Sequence, residues 1–257
     1  MGDSVAVNVL GTIGTILWCI QLTPQIWRNY RSKDCTGLPA LMMFCWAVSG
    51  VPFSIYFIGS DSSIPLRVQP QLFTFFCTVS WGQTLYYPPV RLPIRRLVIY
   101  VAAFCVVSIG LEVGLILWLR PLYRRGIEWP MLVIGIVASV LLAVGLIPPY
   151  FELAKRKGRV VGFNFFFLAM DSGGALFSIL SVVVGNMDIM SLVLYAIVLA
   201  MELGIFASQI VWYLTGGRQI IKEEKMEKTV SSEESELKDE SEVQVISTHH
   251  SRLVSDE

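Results

Sequence analysis

Leu22-Thr23-Pro24-Gln25-Ile26-Trp27-Arg28-Asn29-Tyr30-Arg31-Ser32-Lys33 (residues 22–33) decides the fold, because it closes an apolar run from Val5 with a proline and a cluster of bases. A run of about 20 apolar residues is long enough to cross a bilayer. Proline lacks a backbone donor and clashes with the carbonyl four residues earlier, so Pro24 frees the carbonyl of Ile20. Within a membrane such a carbonyl persists only against protein or a water-lined cavity. The same signature returns 124 residues later, where Val9, Gly11, Leu17, Leu22, Pro24 and Lys33 align with Val133, Gly135, Leu141, Leu146, Pro148 and Lys157. With one inserted residue Gly37 meets Gly162, and Trp46 meets Asp171. Pro148 and Pro149 free the carbonyls of Val144 and Gly145, which makes the two proline sites matched weak points, and hence hinges.

Outward from these sites the chain has seven apolar stretches, about 5–23, 38–59, 65–87, 95–119, 131–149, 162–185 and 190–214. The composition agrees: 54% of residues are hydrophobic, 16% charged, and the mean hydropathy is +0.61, against about a quarter charged in soluble domains. The third stretch carries Gln69, Gln71 and Gln83 and belongs against other helices, with Pro70 expected in its first turn. Matched helices lie four crossings apart, so the copies run parallel. The expected fold is all-α and membrane-spanning: a three-helix unit over 1–94, a linker helix and loop over 95–130, a second three-helix unit over 131–217 and an acidic, disordered cytosolic tail over 218–257.

Orientation follows from the basic residues, which favour the cytosolic side. Loops after the first, third and fifth stretches hold ten of them, Arg28, Arg31, Lys33, Arg91, Arg95, Arg96, Lys155, Arg156, Lys157 and Arg159. The opposite loops hold four, Arg67, Arg120, Arg124 and Arg125. The N-terminus is therefore expected in a lumen and the tail in the cytosol, with Cys35 in a reducing compartment as a free thiol. Met1-Gly2-Asp3-Ser4 has no basic n-region, so the first helix is read as retained. The formal charge is zero because 14 bases and 9 acids before residue 218 are offset by 6 bases and 11 acids from residue 218 on. No nucleic-acid partner is expected from such a balance.

Both histidines, His249 and His250, lie in the tail, and the five cysteines have no metal-like spacing. Neither an enzyme active site nor a metal or other cofactor is expected. Two acids fall inside apolar stretches, Asp171 near the middle of the sixth and Glu202 of the seventh. A charge there costs a few kcal/mol and faces the bundle interior by default. Asp171 is read as a contact for a solute ammonium group or as a proton carrier, the alternative being a protonated, hydrogen-bonded structural acid. Glu202 is read as a proton relay or a buried hydrogen-bonding partner, and Glu112, on the linker, as a structural contact. Trp46 and Gln83 add aromatic and amide surface to the candidate site. The cluster Phe163, Phe165, Phe166 and Phe167 reads as an interfacial anchor, and Ser231, Ser232 and Ser235 as tail positions open to phosphorylation.

The run from Gln21 through Lys33 with Thr36-Gly37-Leu38 resembles the PQ-loop motif, and Leu146 through Tyr150 with Lys155-Arg156-Lys157 and Gly162 is similar to it. The resemblance covers about residues 5–214 and implies an organellar carrier, vacuolar or lysosomal, with Pro24, Gln25, Pro148 and Pro149 as hinge residues. Members of that family export basic amino acids, cystine and, more distantly, sugars. Pro149 stands where the motif has Gln, so the two hinges are not equivalent. The second half looks like a fungal subgroup. The expected function is transport of a small polar solute, coupled to protons, by alternating access about the proline hinges. The competing reading is a seven-helix receptor or sorting protein that moves nothing across.

Overall fold

The computed structural model describes residues 5–62, 64–185, 189–223 and 226. Among them are helices and connecting turns but no strand. The helices are α1 (Val5–Ile20), α2 (Leu22–Ser32), α3 (Ala40–Gly59), α4 (Ile64–Tyr86), α5 (Ile94–Arg124), α6 (Trp129–Gly145), α7 (Ile147–Lys155), α8 (Phe165–Val184) and α9 (Ile189–Trp212). Taking α1 with α2 and α6 with α7 gives seven crossings, of which six are long and apolar enough to span a bilayer by length and composition. The exception is the α4 crossing. It packs against α1, α2, α3 and α5, as its glutamines require.

The prolines do not sit where the helices stop. The chain leaves helical pairing at Gln21 and at Leu146, then resumes, so that Pro24 falls in the first turn of α2 and Pro148 and Pro149 in that of α7. A first-turn N–H has no partner to lose, which makes proline cheap there. The carbonyl of Ile20 is not left bare: the Thr23 hydroxyl donates to it at 2.6 Å. Bases expected in loops, Arg28, Arg31 and Lys155, accordingly lie on helices. Pro70 corrects the reading made from sequence, since α4 starts at Ile64 and places it inside the helix.

Positions paired by the 124-residue offset share backbone conformation. Lys33 and Lys157 both take left-handed conformations, with φ of 51° and 52°, and Gly37 and Gly162 follow with 91° and 89°. The two glycines meet. A methyl group on Gly37 would strike the Val161 carbonyl, and one on Gly162 would strike the 36–38 backbone. The packing is exchanged too: α1 lies along α8, while α6, the counterpart of α1, lies along α3, the counterpart of α8.

Buried Trp46, Met42, Met43, Phe167, Leu168 and Ile205 lie in the core cluster that α3, α8 and α9 share. α5 is peripheral, with Leu119 its one buried residue among those described and Val106, Leu117 and Trp118 exposed. Glu112 anchors it. Its carboxylate accepts from Ser54 on α3 at 2.6 Å and from Gln71 on α4. The phenylalanine cluster divides, Phe163 and Phe167 buried and Phe165 and Phe166 exposed. Within residues 210–223 the helix kinks over Tyr213–Gly217, where Gly216 has φ of 125°, and continues to Glu223. The tail serines Ser231, Ser232 and Ser235 lie outside the described residues, as do His249 and His250.

Gly37→Ala and Gly162→Ala each add a left-handed penalty and an overlap with backbone, a loss of about 2–4 kcal/mol that thermal unfolding in micelles should register. Cys35 is buried, and that burial, with the Asp34 charge adding to it, pushes its thiol to about 11. Native protein at pH 7.5 is expected to leave Cys35 unlabelled by maleimide, and denatured protein to label it.

Candidate functional site

The acids meet. Asp171 on α8 is 3% exposed and Glu202 on α9 fully buried, and their carboxyls are neighbours. The Trp18 and Gln21 side chains at the end of α1 lie near Asp171, and Ser172 Oγ donates to Glu202 Oε2 at 2.8 Å. None of the ion pairs among the described residues involves either acid. Gln21 occupies the gap between α1 and α2, which brings a buried amide to the acids at the point where the helix is interrupted.

Nearer the basic ends, a second polar group joins α2 to the start of α8. Gln25, buried, donates to Asn29 Oδ1 at 2.8 Å and to the Gly162 carbonyl at 2.9 Å, and its Oε1 accepts the Asn164 N–H at 2.6 Å. Arg28 donates to the same carbonyl. Asn164 caps α8 by accepting from the Phe166 N–H at 2.8 Å, and its amide donates to the Pro24 carbonyl at 3.0 Å. Gln83 from α4 completes the network, accepting from Asn29 at 3.1 Å and donating to the Ile26 carbonyl at 3.1 Å.

The residues singled out from sequence therefore fall into three places. Asp171 and Glu202 are together. Gln83 belongs with Gln25 in the α2–α8 network, and it also lines an open groove of about 330 Å³ with Ile26, Trp27, Tyr30 and Phe76. Trp46 is a plug. Its indole N–H donates to the Leu142 carbonyl at 3.2 Å, and its ring occupies the room that a side chain at Gly145 would need.

The repeat relates these places. Its offset pairs Trp46 with Asp171, Gly145 with Gln21 and Leu142 with Trp18. The contact of Asp171 with Gln21 and Trp18 between α8 and α1 is thus matched by that of Trp46 with Gly145 and Leu142 between α3 and α6. In the same way Gln25 and Arg28 on Gly162, with Asn29 bonded to Gln25, correspond to Pro149, Glu152 and Leu153 beside Gly37, where the side chains line a small recess with Val161 and Phe163. One seam is polar and its mate is closed by an indole and a proline. Sequence reading missed Trp18 and Gln21. The repeat offset held the signal for Gln21, since an amide there faces a glycine in the other copy.

Apolar spanning helices, lipid-facing surfaces on α5 and polar groups buried between helices define a multi-pass integral membrane protein in contact with the bilayer. Residues 6–66 match the family described as PQ loop repeat. The chain is similar to the uncharacterized membrane protein YDR090C of Saccharomyces cerevisiae, with 60% identity over 208 residues, 81% of this chain and 67% of that protein. It is also similar to the uncharacterized protein C2E12.03c of Schizosaccharomyces pombe, with 37% identity over 204 residues, 79% of this chain and 71% of that one. The chain belongs to the PQ-loop repeat family.

Gln25→Leu would leave the Asn164 N–H without its partner, at about 1–3 kcal/mol, and the Gly162 carbonyl with Arg28 alone. The variant is expected to unfold measurably below wild type in micelles, whereas Leu153→Met, at the position matching Asn29, should stay within about 1.5 kcal/mol.

Proposed function

We propose that the protein is a carrier of a small polar solute in an organellar membrane, vacuolar or lysosomal in type, with its N-terminus luminal and its C-terminus cytosolic. Basic amino acids are the first solutes to try. The reading takes the chain as two parallel three-helix units joined by α5, a picture supported by the exchanged α1–α8 and α3–α6 packing and by the matched backbone at Lys33 and Lys157. No covalent chemistry is involved.

The observation that carries the proposal is the buried Asp171–Glu202 pair, held without a cation against the interrupted end of α1. Intramembrane acids in such positions belong to solute and proton paths. The pair gains or releases a proton as the seam between α1–α2 and α8 opens to one side or the other. Gln21–Leu22 and Leu146–Ile147, just ahead of the prolines, are the points where the helices flex. The Gln25 network latches the cytosolic end while the site faces the lumen. The plugged α3–α6 seam, which holds Trp46 and Pro149, serves as the pivot.

The test is counterflow in vesicles reconstituted with the full chain. Vesicles preloaded with a basic amino acid are expected to take up labelled solute transiently, and Asp171→Asn should reduce proton-coupled uptake at least tenfold. Saturable binding without counterflow for every amino acid and sugar tried would favour a receptor, and unchanged proton-coupled uptake in Asp171→Asn would remove the acid pair from the mechanism.

A further inference from the structure

α2 has two faces. Leu22, Gln25 and Asn29, spaced to share one side of a helix, are buried in the bundle. Thr23, Ile26, Trp27 and Tyr30 share another, and with Phe76 and Gln83 of α4 they line the open groove of about 330 Å³. Trp27 and Tyr30 are each more than half exposed, with ring centres 6.2 Å apart, and form one wall. The Thr23 hydroxyl is engaged with the Ile20 carbonyl, and the Gln83 amide donates to Ile26 and accepts from Asn29. What remains for an occupant is mostly hydrocarbon and ring surface, which suits an apolar chain better than a polar solute. At the basic end of α2 the character changes. Lys33 closes the helix in a left-handed conformation, and its ammonium lies 3.5 Å from the centre of the Tyr30 ring and donates to the Tyr87 hydroxyl at 3.4 Å. None of the ion pairs among the described residues includes it. Asp34, the adjacent acid, accepts instead from the Thr36 N–H at 2.8 Å and the Thr36 hydroxyl at 2.6 Å. A cation without an acid partner thus rests on a ring that lines an apolar groove.

The other copy of the repeat lacks this arrangement. The 124-residue offset pairs Ile26 with Tyr150, Tyr30 with Ala154 and Lys33 with Lys157. Tyr150 reaches α9, where its hydroxyl donates to the Met201 carbonyl and takes the space that a side chain at Gly204 would need. Ala154 gives Lys157 no ring to rest on. We infer that the α2–α4 groove, with Lys33 at its mouth, is a seat for one anionic phospholipid. An acyl chain lies along Ile26, Trp27 and Phe76, and the Lys33 ammonium holds the phosphate. Bulk lipid coats any apolar surface, but the unpaired cation selects for a negative headgroup. A zwitterionic phospholipid carries its own cation beside the phosphate, a sterol offers only a hydroxyl, and inorganic phosphate gains nothing from the groove. An occupant touches both α2 and α4, the helices that the Gln83 bonds also join, so it braces that end of the bundle. This goes beyond the carrier reading and does not depend on it.

The experiment is native mass spectrometry of the purified full chain released from micelles and titrated with dioleoyl phosphatidylglycerol, dioleoyl phosphatidylcholine, ergosterol or inorganic phosphate. The first phosphatidylglycerol is expected to bind about tenfold more tightly than the first phosphatidylcholine, as one charge-assisted contact allows. Inorganic phosphate at equal concentration should not displace it. Lys33→Gln should bring the ratio of the two phospholipids to about one, whereas Lys157→Gln, at the matching position of the other copy, should leave it as in wild type. Ile26→Tyr, which puts into the groove the residue that closes the other copy, should lose the first-bound lipid. Equal affinity for the two phospholipids, equal loss in the two lysine variants, a first site that prefers ergosterol, displacement by inorganic phosphate, or a first site that survives in folded Ile26→Tyr overturns the assignment. Both lysines are at the surface, so their variants decide the matter even where Ile26→Tyr fails to fold.

Discussion

A backbone that breaks inside lipid must find partners within the protein, and the architecture follows from how this chain meets that demand at Gln21 and Leu146. The interruption at Gln21 is covered by Thr23, which turns its hydroxyl back onto Ile20, and by α8, which packs along α1. Covering it brings a buried amide against Asp171. The interruption at Leu146 is covered by Trp46, whose indole fills the space beside Gly145 and bonds the Leu142 carbonyl. One constraint met twice thus produced an ionisable site on one side of the repeat and an aromatic plug on the other.

The 124-residue offset pairs the α1–α8 seam with the α3–α6 seam, and in the proposed carrier their different residues decide which opens. Separating α3 from α6 would expose the Trp46 indole and Met131, which packs on Gly59, a loss of packing with nothing regained. Separating α1 and α2 from α8 breaks hydrogen bonds among amides, carbonyls and carboxyls that water or a polar solute can replace. In the proposed carrier the difference between the seams fixes both the pivot and the path. Pro149, in place of the motif's glutamine, is then part of the design of the pivot rather than a weakened hinge.

Much of this was legible in the sequence. Seven apolar stretches match the seven helical crossings, the 124-residue offset pairs Lys33 with Lys157, which share a left-handed conformation, and the glutamines of α4 point to its packing against other helices. The continuation of the helix to Ser32 was not legible, because proline signals an end yet is also at home in the first turn of a new helix. Pro70 misled in the opposite sense, suiting a first turn by composition and lying inside α4. Asp171 and Glu202 stood out because acids in lipid are rare, and the structure brings them together. Trp46 and Gln83 were grouped with them on residue type alone, but which contact an indole or an amide makes depends on the facing helix. Gln21 drew no notice as a single amide in an apolar run; only the packing of α1 on α8 gives it a role.

The central claim is that the two seams move unequally, and paired spin labels read it directly. Trp27 and Phe166 flank the polar seam, and their repeat mates Phe151 and Leu41 flank the plugged one; all four are exposed. Pulsed electron–electron distances would be taken on each pair in nanodiscs at pH 7.5 and at pH 5, with Cys19, Cys45 and Cys105 replaced. The account predicts that the Trp27–Phe166 distribution shifts or broadens between the two conditions while Phe151–Leu41 stays fixed. Equal movement of both pairs, or movement confined to Phe151–Leu41, would contradict it.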